Sequence, residues 1–317
     1  LGWILFAINY YKTIVSKLSA WPVYLWMWLT GILFMILTYT EAHLWVFGFI
    51  SDNVVLDLTV QWKSYGAMVG SWNMLIYGTA IYLMSKIKKD ESIARGWLPF
   101  FFYFLGLTNL IFGWAHHTYI VPHKSWVRII AYAISMTEWI ILASMIITWS
   151  KSLKKEQKVG SFAYKWLLST DVWVFINLIL ALLISIPAIN LFTHGTHITV
   201  AHSMGTTIGI NTTILMASIC YIIADRCTFC MDKYKKVFNI GFILFHLSFF
   251  VFFLSLMYAG YQRSIWMNTE QTQSFSEMHS QMMPAIYVLV ISGTLLFTSV
   301  LLYAIPFLKL LRKMTKE

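Results

Sequence analysis

Residues 198–224 read ITVAHSMGTTIGINTTILMASICYIIA, without a single Asp, Glu, Lys or Arg. A run of this length and apolarity exceeds the roughly 20 residues that cross a bilayer as a helix. Only a helix satisfies every backbone N–H and C=O within one such segment. Comparable runs lie near 22–49, 60–85, 97–121, 126–149, 163–189, 237–261 and 282–310, and residues 1–11 read as the tail of an earlier one. The expected architecture is an all-α polytopic helix bundle, a single transmembrane domain over residues 1–317 with about eight full spans.

Composition agrees. Of 317 residues, 59% are hydrophobic and 11% charged, against roughly 25% charged in an ordinary soluble domain. The net charge of +10 does not point to nucleic acid, because Lys and Arg cluster in short loops between apolar runs. There they set orientation, with basic loops on the cytoplasmic side. YKTIVSK, KIKKDESIAR, KSLKKEQK, DRCTFCMDKYKK and KLLRKMTKE are basic and alternate with loops poor in Lys and Arg. The expectation is a multi-pass protein whose solvent is the lipid bilayer, with the second set of loops facing out. The chain opens LGWILFAINYY, with no initiator Met and no signal-peptide pattern, which suggests truncation.

Three cysteines cannot build a disulfide framework. Cys227 and Cys230 form a CxxC pair without two further ligands nearby, so reduced thiols are expected rather than a zinc site.

Histidine placement carries more information. His43, His116, His117, His194, His197 and His202 all fall near the outer ends of spans, at one membrane depth. Ionisable groups there usually face the bundle interior, so residues distant in sequence can converge. In GWAHHTYIVP, adjacent His116 and His117 can reach one metal only where the helix loosens locally or the rings swing together. Imidazole suits iron or copper. In HGTHITVAHSMG, His202 and Met204 lie two apart and point to nearly opposite faces of a helix, so one helix could serve two haems. Both residue types are axial haem ligands.

These two motifs, in this order, resemble the catalytic subunit of the nitric oxide reductases within the haem-copper oxidase superfamily. NLFTHGTHITVAH is similar to that family's loop and helix start, and the likeness runs from the end of its fourth helix through its twelfth. It implies the subunit I fold in a bacterial cytoplasmic membrane, with the haem-binding helix ends towards the periplasm. By position it implies that His202 is the proximal ligand of a high-spin haem b, that His116 and His117 bind a non-haem iron or copper, and that Glu138, in SMTEWII, is the buried glutamate of the next helix.

Three departures stand out. Met204 occupies the place of the second histidine, which leaves a His/Met low-spin haem, a lost haem or another ligand as alternatives. The helix expected to bring a further metal-binding His reads VQWKSYGAMVGSWNMLIYG, with Tyr65 near the His position and Val69 near that of a glutamate. His43 and Glu41, in TEAHLWVFGF, are candidate substitutes. The family's early helices are missing, so the chain is incomplete or a partner supplies them.

The reaction implied is the joining of two NO with two electrons and two protons to give nitrous oxide and water. Glu138 and Tyr65 are candidates for proton delivery or for hydrogen bonding to the metal site. A cytochrome c subunit or quinol would donate electrons. NO dismutation and oxygen reduction are rivals within the superfamily; a non-catalytic haem electron-transfer or assembly subunit, or a proton-coupled transporter, is the reading from another class. His123, His246, His279, Asn73 and Asn177 take ordinary packing and interhelical roles on this reading.

Overall fold

The computed structural model describes residues 1–14, 21–117, 124–158, 161–227, 230–269 and 273–314. These residues form helices and no strand. In chain order they are α1 (Gly2–Thr13), α2 (Val23–Glu41), α3 (Gly48–Ser51), α4 (Val54–Lys88), α5 (Trp97–Phe112), α6 (Ser125–Ser152), α7 (Lys155–Lys158), α8 (Phe162–Ile184), α9 (Pro187–Thr193), α10 (His197–Met204), α11 (Thr213–Arg226), α12 (Cys230–Lys233), α13 (Lys235–Asn268) and α14 (Phe275–Met314). A π-helical segment, Gly205–Thr212, joins α10 to α11, so the run that opens the sequence argument is one continuous rod.

Among the described residues, seven helices are long and apolar enough to cross a membrane. Each matches an expected span. The exception is the span expected at 60–85: α4 is present and 35 residues long, but it is not among the seven. It spends positions on Ser64, Ser71, Asn73 and Ser85, all buried, and interior polar groups lower a helix's apolarity without exposing anything to lipid.

The chain forms two compact units, Leu1–Asp171 and Val172–Glu317, with the boundary inside α8. In the first, α4 packs on α5 through Gly70 and on the turn that follows α5 through Gly66. A Cβ on Gly70 would lie 3.0 Å from the Leu110 backbone, and one on Gly66 would lie 2.8 Å from Cα of Trp114. Small residues four apart let helix backbones approach closely, which is how helices associate where lipid offers no hydrophobic drive. Trp149 closes the unit from α6 by donating its indole N–H to the Met84 carbonyl at 2.9 Å. The N-terminus of α4 is capped by Asn53, whose side chain accepts from Leu56 N at 3.1 Å, satisfying one of the helix's orphan donors.

In the second unit α13 and α14 lie side by side. The buried Tyr303 hydroxyl donates to the Phe238 carbonyl at 2.6 Å, and Gly241 makes room for the same ring. Between α9 and α10, Gly195 takes φ +72, where a Cβ would meet no atom but would strain the backbone. Gly195→Ala is therefore expected to cost roughly 1–2 kcal/mol, seen as a lower thermal midpoint in detergent with unchanged far-ultraviolet circular dichroism. Thr196 then caps α10 by accepting from Ile198 N at 3.3 Å.

The expectation of reduced thiols fails at Cys227, which is disulfide-bonded; Cys220 is a free, buried thiol.

Candidate functional site

In the second unit, α10 begins at the Thr196 cap and carries His202 and Met204 in its last turn. Both are partly buried. The amide of Asn177, a fully buried residue of α8, lies 3.1 Å from Nδ1 of His202. Its other end lies 2.8 Å from the Thr206 hydroxyl. All contacts of the amide are satisfied when its nitrogen faces the ring, which leaves Nδ1 as acceptor; an axial ligand requires the other tautomer, with the proton on Nδ1 and the lone pair on Nε2.

Nearby groups fit a haem. His197, Arg263 and His279 are close enough to interact electrostatically. Nδ1 of His197 and Nε of Arg263 are buried with no hydrogen-bond partner among the described residues. Buried donors without acceptors are costly, and the carboxylates of a haem's propionates would satisfy them. His194, in the loop before α10, is held below its ordinary pKa by burial.

In the first unit, Glu138 is buried at 4% exposure on α6. Its Oε2 accepts a hydrogen bond from the Asn109 side chain of α5. A Cβ on Gly106, one turn before Asn109, would come within 3.4 Å of its Oε1 and 2.9 Å of Met74 on α4. The tight contact at 106 is thus with the end of the Met74 side chain, and Glu138 lies beside it at ordinary contact distance. A carboxyl group with one amide donor in an apolar setting can hold and release a proton.

His116 and His117 end α5 on a 3-10 turn, Gly113–His117. The backbone at this pair is wound more tightly than an α-helix, not loosened. Their side chains lie outside the described residues, as does the whole of His123. The Gly66 contact seats α4 directly on this turn through Trp114. Tyr65, the preceding residue, is 52% exposed and Val69 is 54% exposed. No hydrogen bond joins Tyr65 to Glu138 among the described residues.

The candidate substitutes at and just beyond the end of α2 are otherwise engaged. Glu41 forms an ion pair with Lys63 of α4. His43 is exposed, with Nδ1 at 2.7 Å from the Tyr39 carbonyl one turn back. Among the described residues no three His, Cys, Asp or Glu side chains are grouped to hold a metal.

Sequence reasoning missed Asn109 and Asn177, the groups that hold Glu138 and His202. It read Asn177 as an ordinary interhelical polar residue. An uncharged amide inside a span gives no sign of its partner, because that partner lies on another helix. Asp171 was also passed over; it is buried on α8, and its Oδ1 has no partner among the described residues. An acid within a span is a signal that could have drawn notice. His246 takes the Trp173 indole N–H at 3.2 Å beside Phe242.

A family model described as cytochrome c and quinol oxidase polypeptide I matches residues 1–295. Among solved structures, a haem-copper terminal oxidase dimer determined by cryo-EM is similar at a TM-score of 0.59 and 15% sequence identity. The likeness covers 91% of this chain and 56% of that chain, and it is a likeness of fold. Curated protein sequences give no match.

Proposed function

The chain belongs to the cytochrome c and quinol oxidase polypeptide I family, and from that premise we propose that it is the haem-bearing core of a nitric oxide reductase-like membrane oxidoreductase. The observation that carries this reading beyond the family is Glu138, buried on α6 and hydrogen-bonded by Asn109. It lies at the position that the sequence resemblance assigns to the glutamate of the nitric oxide reductase branch.

Haem b and a second metal, iron or copper, would supply electron transfer and activation of NO. His202 would hold the haem iron of the active site, with Met204 on the opposite face of α10 as a candidate for a low-spin haem. His116 and His117, with His43 as a weaker third candidate, would hold the second metal. This chain's own work is then positional. Asn109 fixes Glu138, which holds and hands on a proton, and two protons are consumed as two NO and two electrons give nitrous oxide and water. Tyr65 is a second candidate for that proton path. A cytochrome c subunit or quinol would deliver the electrons, and the distribution of basic loops supports a periplasmic orientation of the histidine-bearing helix ends.

The second reading is NO dismutation or oxygen reduction, favoured by Tyr65 and Val69 where the nitric oxide reductases carry a histidine and a glutamate. The deciding experiment purifies the intact complex in detergent and quantifies haem, iron and copper. It then records reduced spectra with CO, and gas products on adding NO. A CO-binding haem, one further metal and nitrous oxide as product are expected. Dinitrogen with oxygen would make it a dismutase. Haem without a second metal would leave an electron-transfer or assembly subunit. No haem would overturn the histidine assignment.

Gly66 supplies a separate check on the second metal. Gly66→Val should push α4 off the turn carrying His116 and His117, because its Cβ would already collide with Trp114. Overpacking of this kind costs about 1–3 kcal/mol. The expected result is a loss of second-metal content greater than the loss of haem, measured by metal analysis alongside the haemochrome spectrum.

A further inference from the structure

The hydrogen bond from Asn109 engages Oε2 of Glu138; among the described residues Oε1 accepts none. Asn73, Met74 and Tyr77 share one face of α4, because positions three and four apart are neighbours on a helix. Met74 reaches the gap opposite Gly106, where a Cβ would lie 2.9 Å from its methyl and 3.4 Å from Oε1 of Glu138. Tyr77 is 2% exposed, packs its ring 5.5 Å from that of Phe102 on α5 and is close enough to Glu138 to interact electrostatically. Asn73, one turn before Tyr77 and 9% exposed, has its Oδ1 buried with no hydrogen-bond partner among the described residues.

The polar groups of this face are not paired with one another. Among the described residues the Tyr77 hydroxyl makes no hydrogen bond, although a buried tyrosine ordinarily finds a partner for its O–H. Unsatisfied buried groups are costly. A phenol, an amide oxygen and a carboxyl oxygen that do not touch are a set that one buried water satisfies, since such waters make about three hydrogen bonds to otherwise unpaired groups.

We infer that Tyr77 and Asn73 hold a water molecule against Oε1 of Glu138, and that Glu138 regains its proton through this water. The role presupposes that Glu138 is the proton carrier proposed above. Tyr77 donates its O–H to the water oxygen, and the water donates one hydrogen to Oδ1 of Asn73 and the other to Oε1. In recharging, the site carries a proton from solvent as hydronium, gives it to the Glu138 carboxylate and is left as neutral water. Tyr77 and Asn73 neither gain nor lose a proton. A phenol both donates and accepts, so Tyr77 turns to accept while the site holds hydronium; phenylalanine would do neither.

The register of α4 on its neighbours gives the relay a direction. Gly66 meets the turn that carries His116 and His117, Gly70 meets Leu110, Met74 meets Gly106 and Tyr77 meets Phe102. Along this seam Glu138 lies between the histidine pair and Tyr77, and the water approaches it from the end of α4 that carries Lys86 and Lys88. That order separates the side on which Glu138 gives up a proton from the side on which it regains one.

The test uses the purified holo-complex and reads turnover with NO together with the carboxyl C=O band of Glu138 in the reduced-minus-oxidised infrared spectrum, identified as the band lost in Glu138→Gln. Tyr77→Phe keeps the ring against Phe102 and removes only the hydroxyl. It should move the band to higher frequency, as a carbonyl released from a hydrogen bond does, and slow its exchange in D2O. Turnover should fall by about 10²-fold, the low end for a positioned proton-transfer group, at unchanged haem content. Asn73→Leu should move the band the same way with a smaller loss of turnover, and it decides the matter should Tyr77→Phe fail to assemble. A role in packing alone would leave the band where it is. An unmoved band with parental turnover in the haem-loaded Tyr77 and Asn73 variants would overturn the relay and leave Glu138 as the proton carrier. Parental turnover in Glu138→Gln would instead overturn the reading on which the relay rests.

Discussion

His202→Ala is expected to abolish turnover and to remove the CO-binding haem from the purified complex. Asn177 contacts ring nitrogen Nδ1 of this residue and Thr206 contacts its backbone carbonyl. A residue that served only packing would leave a cavity and cost a few kcal/mol, with the reduced spectrum intact. An axial ligand behaves differently, because its loss removes a bond that no neighbour replaces. Soaking the variant with free imidazole should restore part of the CO-difference spectrum, since the cavity left by the ring admits the same donor. A full haem complement with an unshifted CO band would sink the assignment, and recovery with imidazole but not with pyrrole would confirm that a nitrogen lone pair is what was lost.

The second large effect concerns protons. Glu138→Gln should slow turnover by about 10²–10⁴-fold, the usual contribution of a positioned proton-transfer group, while the haem spectrum stays as in the parent protein. Glutamine keeps the size of the side chain and can still pair with the Asn109 amide, so the loss reports proton transfer and not packing. Gly106→Ala acts on the same group from outside. Its methyl would crowd the end of the Met74 side chain beside Glu138, and a smaller loss of turnover with a shifted pH profile is expected. Equal rates for Glu138→Gln and the parent protein across pH 6–9 would remove Glu138 from the proton path.

The spans and the histidine motifs were legible in the sequence, and the partners of those motifs were not. The run at 198–224 reads as a helix because nothing else leaves its backbone satisfied in lipid. The GWAHH pair falls at a helix end because apolarity gives out there. Asn109 and Asn177 carried no comparable signal. Each is an amide amid apolar residues, and its importance depends on what faces it across 29 or 25 residues of chain. The Gly66 and Gly70 seam was readable as a small-residue pattern, but its partners, Leu110 and Trp114, were not. The span expected at 60–85 failed the apolarity test for a related reason: α4 faces other helices with Ser and Asn, and hydropathy cannot tell an interior polar residue from an exposed one.

The sequence by itself therefore determined the solvent, the helices and the residue types able to bind haem and metal. These follow from local chemistry: backbone hydrogen bonding in lipid, the cost of charge and the ligand character of imidazole. The tertiary structure alone decided which amide touches which ring or carboxyl, that Glu41 is taken by Lys63, and that Cys227 is bonded. Such pairings depend on distances between segments far apart in the chain.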